Sequence, residues 1–546
     1  MVRLRLSLLA LLLLVGPTRA DETSTGDKLR ILYSSRFTFT DDGLPLITVE
    51  IMGGQKQITL SAPGGLLVRP DGAGGSAVAA GDGRWTIRAR DTAPAEIQEW
   101  TVVESLGPDD GAGAAAAIDR WKGRGFEPRT FEVGTLFGVD GELIDTRETL
   151  VAIDPVASPG GTARATQNAK RYGLSMRVHR ELVRRPSGTI VAEGGGARVE
   201  NPSVIWFEPA RAGDTIVVDD VPVGTGGSQL QTSKETRRYW GRVYVTLDRG
   251  GALVAVNAVP EDKLLAGLVP AEMMASSPDA ALEAQAIAAR TELLAKLGHR
   301  DPTDPFLLCS TQACQVYAGA GHESPRTTRA VEKTRGLVML RDGGGLADAR
   351  YSASCGGHSE DNDWIWGGDP DPSLRGRPDT AEGGMSRVDG EHLDAFLDSE
   401  PHDSWCGRGK GAKGKFRWTE KVSAADLDAR IAVEYPKVGH VLALVPDGRG
   451  VSGRIKSLTI KGDKGTAVAD GDLHIRRLLG GLKSTLFKVT AEGPARSPTG
   501  WVFRGAGFGH GVGMCQTGAI EMAAAGKSRT EILGHYYRGT HLHRLY

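Results

Sequence analysis

The sequence predicts an α+β protein with a β-rich N-terminal region and a mixed C-terminal domain. From Gly26 to about Arg237, short apolar segments such as LPLITVEIM and RWTIRARD alternate with Gly, Pro and Asp turns, a pattern typical of strands. From Tyr239 onward, helical and strand patterns are mixed without the regular β-α-β order of a doubly wound sheet. The chain has 546 residues, more than one hydrophobic core usually serves, so at least two domains are expected.

The first 20 residues, MVRLRLSLLALLLLVGPTRA, have the pattern of a secretory signal peptide. Arg3 and Arg5 precede an apolar run from Leu8 to Val15, and Ala20 is a small residue of the kind found at cleavage sites. The run is shorter than the roughly 20 apolar residues that a membrane-spanning helix needs, and no later segment reaches that length. We therefore expect an exported protein of the periplasm, cell wall or extracellular space, with residues 1–20 removed and no transmembrane anchor.

The region from residue 21 to 236 contains no combination of residues typical of a catalytic site. Residues 110–117, DGAGAAAA, interrupt its strand pattern, and their composition predicts a loop or linker. We accordingly divide the chain into a signal peptide at residues 1–20, a β-rich region at 21–236 and a C-terminal domain at 237–546.

The charge balance argues against a nucleic-acid-binding protein. The 66 Lys and Arg residues are matched by 67 Asp and Glu residues, which gives a formal net charge of −1. Nucleic-acid-binding domains usually carry a strongly basic face or stripe. The basic run GRGKGAKGKFRW, which begins at Gly407, is short and is better explained as a solvated loop. No nucleic-acid partner is expected.

Residues 263–298, KLLAGLVPAEMMASSPDAALEAQAIAARTELLAKLG, predict two helices that meet near Pro278. Ser277 can cap the second helix, for which Pro278 is a favourable first residue. Glu272 lies at the joint, where a carboxylate can be partly buried. Arg290 lies eighteen positions later, about 27 Å away in an unbroken helix, so only a fold-back at Pro278 would bring its guanidinium to a ligand beside Glu272. The alternative is that both charges are ordinary solvated groups on helices.

The cysteines all lie in the predicted C-terminal domain, and an exported protein can form disulfides. They are Cys309, Cys314, Cys355, Cys406 and Cys515. A disulfide between Cys309 and Cys314 is favoured because residues five apart in a loop can approach bonding distance. The alternatives are free buried thiols and a structural zinc site of three thiolates and one imidazole. The ligands of that site would be Cys309, Cys314, Cys355 and His358. With an odd number of cysteines at least one stays unpaired, for which we expect Cys515.

A glycine-rich stretch, GAGFGHGVG from Gly505 to Gly513, precedes a helix predicted to begin near Gln516. It lacks the glycine spacing and the acidic residue of a dinucleotide-binding turn. Glycine lets the backbone approach a ligand or another strand closely. We therefore interpret the stretch as a groove wall that carries His510, with tight backbone packing as the equal alternative. Farther on, Ser528 and Glu531 predict a capping box for the final helix.

Three stretches resemble the SpoIID/LytB family of sporulation proteins and amidase enhancers, and they occur in the family's order. The first joins the turn VPAEM to the helix AQAIAART. The second comprises CQVYAGAGHESPRTTRAVEKTRGLVML and ADARYSASCGGHSEDNDWIW, and the third is FRGAGFGHGVGMCQTGAIEMAAAGKSRTEILGHYYRGT. They identify residues 237–546 as a SpoIID/LytB-like domain.

The resemblance implies a mixed α+β catalytic domain, preceded by β modules that position it or bind cell-wall polymer. The family's enzyme branch consists of lytic transglycosylases, which cleave peptidoglycan glycan strands, prefer strands without stem peptides and leave 1,6-anhydro-muramic acid ends. Such an enzyme can work with one carboxylate and requires no cofactor. The alternative is the amidase-enhancer branch, whose members stimulate a partner cell-wall amidase.

The resemblance also assigns roles to individual residues. Glu272 is the expected acid and base, and Arg290 the expected substrate-positioning residue. Substrate binding is expected at Tyr317, Ser354, Gly356, Gly357, His358 and His510. One position differs from the family, because no tyrosine stands before the FRW segment and the nearest residue is Phe416. That difference keeps the amidase-enhancer alternative open.

Overall fold

The structure is a computed structural model of the chain. It describes residues 32–33, 38–40, 43–70, 75–81, 83–139, 142–174, 176–224, 232–299, 302–310, 317–388 and 390–546. The predicted signal peptide at residues 1–20 lies outside the described residues, as does Cys314. Within the described ranges, no helix combines the length and the apolar character needed to cross a bilayer.

Up to Tyr239 the described chain consists mainly of strands, as its turn-rich pattern predicts. The strands are β1 Thr38–Phe39, β2 Pro45–Gln55, β3 Gln57–Ser61, β4 Leu66–Arg69, β5 Ala79–Gly81, β6 Trp85–Ala93, β7 Glu96–Leu106, β8 Arg129–Val133, β9 Leu136–Val139, β10 Glu142–Asp145, β11 Glu148–Ala157, β12 Val178–Arg184, β13 Ser187–Gly194, β14 Ala197–Asn201, β15 Val204–Pro209, β16 Ile216–Gly224 and β17 Thr232–Tyr239. The helices of this part are α1 Gly111–Lys122 and α2 Gly161–Tyr172.

From Arg242 onward, strands and helices are mixed, which confirms the predicted α+β class. The strands are β18 Arg242–Leu247, β19 Leu253–Pro260, β20 Leu337–Arg341, β21 Tyr351–Ser352, β22 Arg417–Ser423, β23 Val441–Asp447, β24 Ser457–Gly462, β25 Thr466–Asp470, β26 Phe487–Glu492, β27 Gly500–Ala506, β28 Met514–Cys515 and β29 Thr540–Arg544. The helices are α3 Glu261–Glu272, α4 Asp279–Lys296, α5 Pro325–Lys333, α6 Asn362–Trp366, α7 Leu393–Asp398, α8 Ala424–Glu434, α9 Asp472–Leu478, α10 Gln516–Ala524 and α11 Arg529–Tyr536.

Residues 110–117, predicted as a loop or linker, belong to helix α1. Asp110 caps the helix, because its carboxylate accepts a hydrogen bond from the Gly113 backbone nitrogen at 2.8 Å. The alanines that follow have the highest helix propensity, and Ala117 and Trp121 bury one face of the helix. The loop prediction is therefore wrong, since capping and alanine content outweigh the glycines.

A seven-stranded sheet joins the two regions that the sequence separates at residue 237. Its strand order is β1-β2-β19-β18-β15-β4-β5. Strands β18 and β19, which follow the predicted boundary, therefore lie between strands that precede it. The boundary itself falls inside β17. Ile47 of β2 and Leu264 of α3 belong to the same buried core. The division between residues 236 and 237 is therefore corrected. Strands from both sides of that boundary pair in one sheet, so neither side forms the sheet alone.

A six-stranded sheet of order β14-β13-β6-β3-β16-β17 packs on the seven-stranded sheet. Trp85 of β6 meets Phe207 of β15 across this interface, with ring centroids 6.3 Å apart. A four-stranded sheet of order β12-β7-β11-β8 has a separate small core that includes Trp100 and Leu150. Helices α1 and α2 contact this smaller sheet.

Helices α3 and α4 follow β19 and are the two helices that the sequence predicts. Helix α3 ends at Glu272 because Met273 adopts an extended conformation, and α4 begins at Asp279. Ser277 does not cap α4, since the residue at its N-cap is Pro278, which makes no side-chain capping bond. Helix α4 is buried along most of its length, because it lies between the core of the seven-stranded sheet and a second core formed by C-terminal segments.

The C-terminal segments surround this second core. Strand β21 pairs in parallel with β28, with Ser352 opposite Cys515. Strands β22 to β27 form two three-stranded sheets that share a third core with α8 and α9. The predicted capping box of Ser528 and Glu531 is confirmed at the start of α11.

Candidate active site

Glu272 is the last residue of α3 and lies at the joint between the two helices. Its side chain is half-buried. Met273 is 3% exposed and Met274 is 64% exposed, so the joint turns one side to the interior and the other to solvent. Leu268 and Val269 belong to a buried apolar cluster in the preceding turn. Glu272 thus directly follows the buried apolar turn that ends α3.

Gln516, the first residue of α10, lies against the end of α3. Its Nε2 donates to the backbone oxygen of Glu272 at 3.1 Å and to Oε1 of the buried Gln285 at 3.2 Å. The second hydrogen bond joins α10 to α4. Segments remote in sequence therefore hold the backbone of Glu272 in place.

Tyr351 of β21 lies near enough to Glu272 to feel its charge, and Ser352 follows it in the same strand. Burial, with the negative charges of Glu272 and Glu292, raises the pKa of the Tyr351 hydroxyl well above its usual range. That hydroxyl therefore keeps its proton and is a hydrogen-bond donor at neutral pH. The Tyr351 hydroxyl and Ser352 Oγ are buried, and neither has a hydrogen-bond partner of ordinary geometry among the described residues. Buried polar atoms normally have partners, so these two atoms stand out among the polar groups near the end of α3 and on β21.

Exposed aromatic side chains lie next to β21. Phe508 donates its backbone N–H to Ser354 O at 2.8 Å, and its side chain is 38% exposed. Trp366 is 48% exposed, and its ring centroid lies 4.9 Å from that of His510. The guanidinium of Arg350 covers the Trp366 ring at 4.9 Å. Flat apolar rings beside hydrogen-bonding groups are suited to binding the faces and hydroxyls of sugars.

His510 is half-buried, and among the predicted substrate-binding residues it is the one that keeps access to solvent. The Val512 backbone N–H donates to its Nδ1 at 3.0 Å, so the proton of the neutral ring is on Nε2. Burial and the guanidinium groups of Arg350 and Arg454 hold the pKa of His510 well below its usual value. The ring is therefore neutral at neutral pH, and its Nε2–H can donate to a hydroxyl.

Ser354 and His358 are fully buried, which corrects their predicted contact with substrate. Nδ1 of His358 lies 2.7 Å from Ser359 O, and its Nε2 lies 3.3 Å from Ser386 O. Burial lowers the pKa of this imidazole. His358 therefore ties its loop to a neighbouring segment and has no side open to a ligand.

Gly356 and Gly357 are buried and pack on protein, which corrects their predicted contact with substrate. Gly356 has a φ of +76°, and a Cβ there would lie 2.5 Å from the Gly507 backbone nitrogen. Gly511 likewise packs on Arg454, whose guanidinium carbon would lie 2.3 Å from an added Cβ. The tight-packing interpretation of the glycine-rich stretch is confirmed at this position, and a groove wall that carries His510 stays a prediction.

Arg290 is fully buried and does not reach the surroundings of Glu272. Its Nε donates to Glu261 at 2.6 Å, and both side chains of this ion pair are 0% exposed. Its Nη1 donates to the backbone oxygens of Thr334 at 2.7 Å and Leu337 at 3.3 Å. The predicted substrate-positioning role is wrong, because every side of the guanidinium is enclosed. Arg290 instead joins α3, α4 and the turn before β20.

Tyr317 is also internal, at 1% exposure. Its hydroxyl donates to Asn257 Oδ1 at 3.0 Å, and Asn257 Nδ2 donates to the backbone oxygens of Trp240 and Arg242. The side chain therefore fastens the segment after α4 to β19. Its predicted contact with substrate is corrected for the same reason as that of Arg290.

The cysteines divide into bonded and free sulfurs. Cys309 is disulfide-bonded. Its predicted partner, Cys314, lies outside the described residues. A disulfide sulfur cannot serve as a thiolate ligand, so the zinc site predicted with Cys309 as a ligand is wrong. The free and buried thiols are Cys355, Cys406 and Cys515, which confirms that Cys515 is unpaired.

Five residues of the candidate site were missed by sequence reasoning: Tyr351, Ser352, Trp366, Phe508 and Gln516. All lie within the stretches that resemble the SpoIID/LytB family, in ARYSAS, WIW, GFGH and MCQTG. Their order along the chain gives no sign that Tyr351 and Gln516 lie at the end of α3. The motifs could therefore be seen in the sequence, but the contacts between them could not.

Two family models match the chain. One, described as stage II sporulation protein, matches residues 249–340, a range that contains α3, the joint and α4. The other, for a domain of unknown function, matches residues 360–513. Tyr351 and Gln516 lie just outside both ranges, so the candidate site is completed by segments that flank the second match.

Several curated proteins are similar to about half of this chain. It is 31% identical to the amidase enhancer of Bacillus subtilis (strain 168) over 300 residues, which cover 51% of this chain and 40% of that protein. It is 26% identical to stage II sporulation protein D of the same organism over 308 residues, 53% of this chain and 76% of that protein. It is 27% identical to an uncharacterized protein of Brachyspira hyodysenteriae over 287 residues, 53% of this chain and 67% of that protein. The chain thus spans less than half the length of the amidase enhancer.

Proposed function

Because the chain carries a domain of the SpoIID/LytB family, we propose that it is an exported lytic transglycosylase that cleaves peptide-poor peptidoglycan glycan strands. The observation that carries the proposal is the half-buried Glu272 at the end of α3, whose charge acts on the buried Tyr351 hydroxyl. The products would end in 1,6-anhydro-muramic acid. The place of action would be the periplasm or the cell wall.

A single acid suffices for this reaction. Glu272 in its protonated form gives a proton to the glycosidic oxygen as the bond breaks, and its carboxylate then accepts the proton of the sugar's own 6-hydroxyl as that oxygen attacks. Ordinary glycosidases need a second carboxylate to deliver water or to act as nucleophile. The other carboxylate that acts on Tyr351, Glu292, is buried and ion-paired with Lys296, so it is unsuited to that role.

The surrounding groups support the same chemistry. The exposed rings of Trp366 and Phe508 can stack on sugar faces. These groups replace Arg290 in the positioning role. A neutral Nε2–H on His510 adds a donor without a competing positive charge.

The direct test is the release of anhydro-muropeptides from purified peptidoglycan that has been stripped of stem peptides. Glu272→Gln keeps the size of the side chain and removes proton transfer, so we expect a loss of about 10² to 10⁴ in rate. Asp279→Asn is a matched control, because this carboxylate lies seven residues later, is 66% exposed and pairs with Arg326. A folded Glu272→Gln protein that releases products at the wild-type rate would refute the mechanism.

The alternative is a non-catalytic amidase enhancer, and the similarity to a protein of that name favours keeping it under test. In that case wild type and Glu272→Gln release no anhydro-muropeptides, yet both accelerate a purified cell-wall amidase. A parallel digest of intact peptidoglycan, which still carries its stem peptides, distinguishes the two functions, because amidase stimulation frees stem peptides whereas transglycosylation shortens glycan strands.

A further inference from the structure

A compact set of metal-ligating side chains lies in the second core, apart from Glu272. Three sulfurs and one carboxylate oxygen, all buried, lie within 4.8 Å of one another. They belong to Cys355, Asp379, Cys406 and Cys515. We propose that these four residues bind one zinc ion, which fastens together the loops behind the candidate active site. This site differs from the ligand set that the sequence predicts.

The spacing of the sulfurs fits one tetrahedral ion. Sγ of Cys355 and Sγ of Cys406 are 3.6 Å apart. Two sulfurs bound to one zinc at about 2.3 Å are separated by about 3.8 Å at the tetrahedral angle. A disulfide would need a separation of about 2.0 Å, and both thiols are free. The sulfurs therefore stand at the spacing of ligands and not of a covalent pair.

Neighbouring groups orient the ligands in the way that metal sites require. The Cys355 backbone N–H points to Sγ of Cys515 at 3.1 Å, and the Cys406 backbone N–H donates to Oδ2 of Asp379 at 3.0 Å. The Tyr536 hydroxyl donates to the other oxygen of that carboxylate at 2.9 Å. Hydrogen bonds of this kind fix the direction of thiolate and carboxylate ligands. Without an ion, the same contacts would hold a buried carboxylate against a group of thiols.

The local charge also suits a divalent cation. Three thiolates and a carboxylate carry four negative charges, of which a zinc ion neutralises two. Two guanidinium groups lie against the same loop, with Nη1 of the half-buried Arg417 2.8 Å from Gly356 O and Nη2 of the fully buried Arg454 3.1 Å from Cys355 O. Together, the positive charges of the zinc ion and the two guanidinium groups can balance the negative charges of the four ligands.

The donor set selects the metal. Thiolate-rich tetrahedral sites favour zinc, whereas magnesium and calcium prefer oxygen ligands. An iron–sulfur cluster would have to fit several irons and sulfides among its ligands, which a group of ligand atoms spaced within 4.8 Å does not allow. A zinc ion also undergoes no redox chemistry, in keeping with a structural role.

The positions of the ligands define what the ion would hold. Cys355 follows β21, which carries Tyr351 and Ser352, and Cys515 precedes Gln516, which contacts the backbone of Glu272. Asp379 and Cys406 come from the segment matched by the second family model. A bound ion therefore joins that segment to the two strands that flank it. The inference does not depend on the proposed glycan cleavage, because its test measures metal.

The test begins with full-length wild-type protein, purified under reducing conditions from zinc-supplemented medium. We expect about one zinc per chain by elemental analysis. After exchange with cobalt, we expect the absorption of a tetrahedral, thiolate-bound ion. Absence of both zinc and the cobalt spectrum, or a disulfide between Cys355 and Cys406 in a peptide map of the unreduced protein, overturns the proposal.

Variants then locate the site. Cys406→Ser should lose most of the zinc, and Asp379→His, which keeps a ligand, should retain it with a shifted cobalt spectrum. Cys309→Ser is the control, since its sulfur belongs to the rejected ligand set, and should keep the zinc. Loss of zinc in Cys309→Ser with retention in Cys406→Ser overturns the proposal. If Cys406→Ser does not fold, the comparison of the cobalt spectra of wild type and Asp379→His shows whether Asp379 belongs to the metal site.

Discussion

Two charged residues of one helix pair have opposite surroundings. Glu272 ends α3 and is half-buried, whereas Arg290 lies in the middle of α4, is 0% exposed and is paired with Glu261. Both fall in the same family-like motif. The comparison shows that a charged residue in a motif can serve the fold as well as the chemistry, and that burial distinguishes the two.

The strongest test of this comparison removes the sheet on which both helices rest. A chain that begins at Arg237 lacks β2 and β15, which pair with β19 and β18. We expect it to be insoluble or unfolded by circular dichroism, because the core under α3 is left open. A chain without residues 1–20 is the control and should fold. A soluble and cooperatively melting fragment from Arg237 would show that the two regions are separable.

The next test concerns Arg290 itself. Arg290→Met leaves Glu261 buried without its partner, which should lower the free energy of unfolding by about 3–5 kcal/mol, measured in urea. The double variant Glu261→Gln with Arg290→Met should lose less, since no charge is left uncompensated. The fraction that remains folded should keep its activity per molecule. A stable Arg290→Met protein with a raised KM would restore the substrate-positioning role.

A smaller effect is expected at the exposed rings next to β21. Trp366→Ala and Phe508→Ala should each weaken sedimentation with stripped glycan strands by about 0.5–1.5 kcal/mol, the range for aromatic stacking. Val433→Ala is the matched control, because Val433 is 87% exposed but lies on α8, beside the third core. Equal losses in all three variants would mean that the rings have no special part in binding.

The smallest effect is a dependence of stability on pH. Burial lowers the pKa of His358, and His510 is shifted in the same direction, so both rings take up a proton less readily in the folded chain than in the unfolded chain. The unfolded chain takes up their protons below about pH 6.5, so stability should fall as the pH drops below that value. His358→Gln should flatten the change in urea midpoint between about pH 7.5 and 5. His402→Gln, at an exposed position, should leave it unchanged.

Sequence periodicity was sufficient where a segment's own residues decide its structure. The two helices of residues 263–298 and the capping box at Ser528 are local features, set by apolar spacing and by a side chain that reaches its own backbone. Helix α1 shows that composition alone can give a wrong prediction. Its glycine-rich start suggested a loop, but Asp110 caps the segment and it is helical. Strand pairing could not be predicted from periodicity, since β2 and β19 pair with each other although they lie far apart in the chain.

By itself, the sequence determined the α+β class, the family-like motifs and the position of Glu272 at a helix joint. Only the tertiary structure decided that Arg290 is enclosed, that Tyr351 and Gln516 lie at the end of α3, and that three free thiols meet one carboxylate. The physical reason is that helix ends and caps depend on neighbours a few residues away. Burial, ion pairing and ligand geometry instead depend on which distant segments pack together, and a linear order of residues does not specify that.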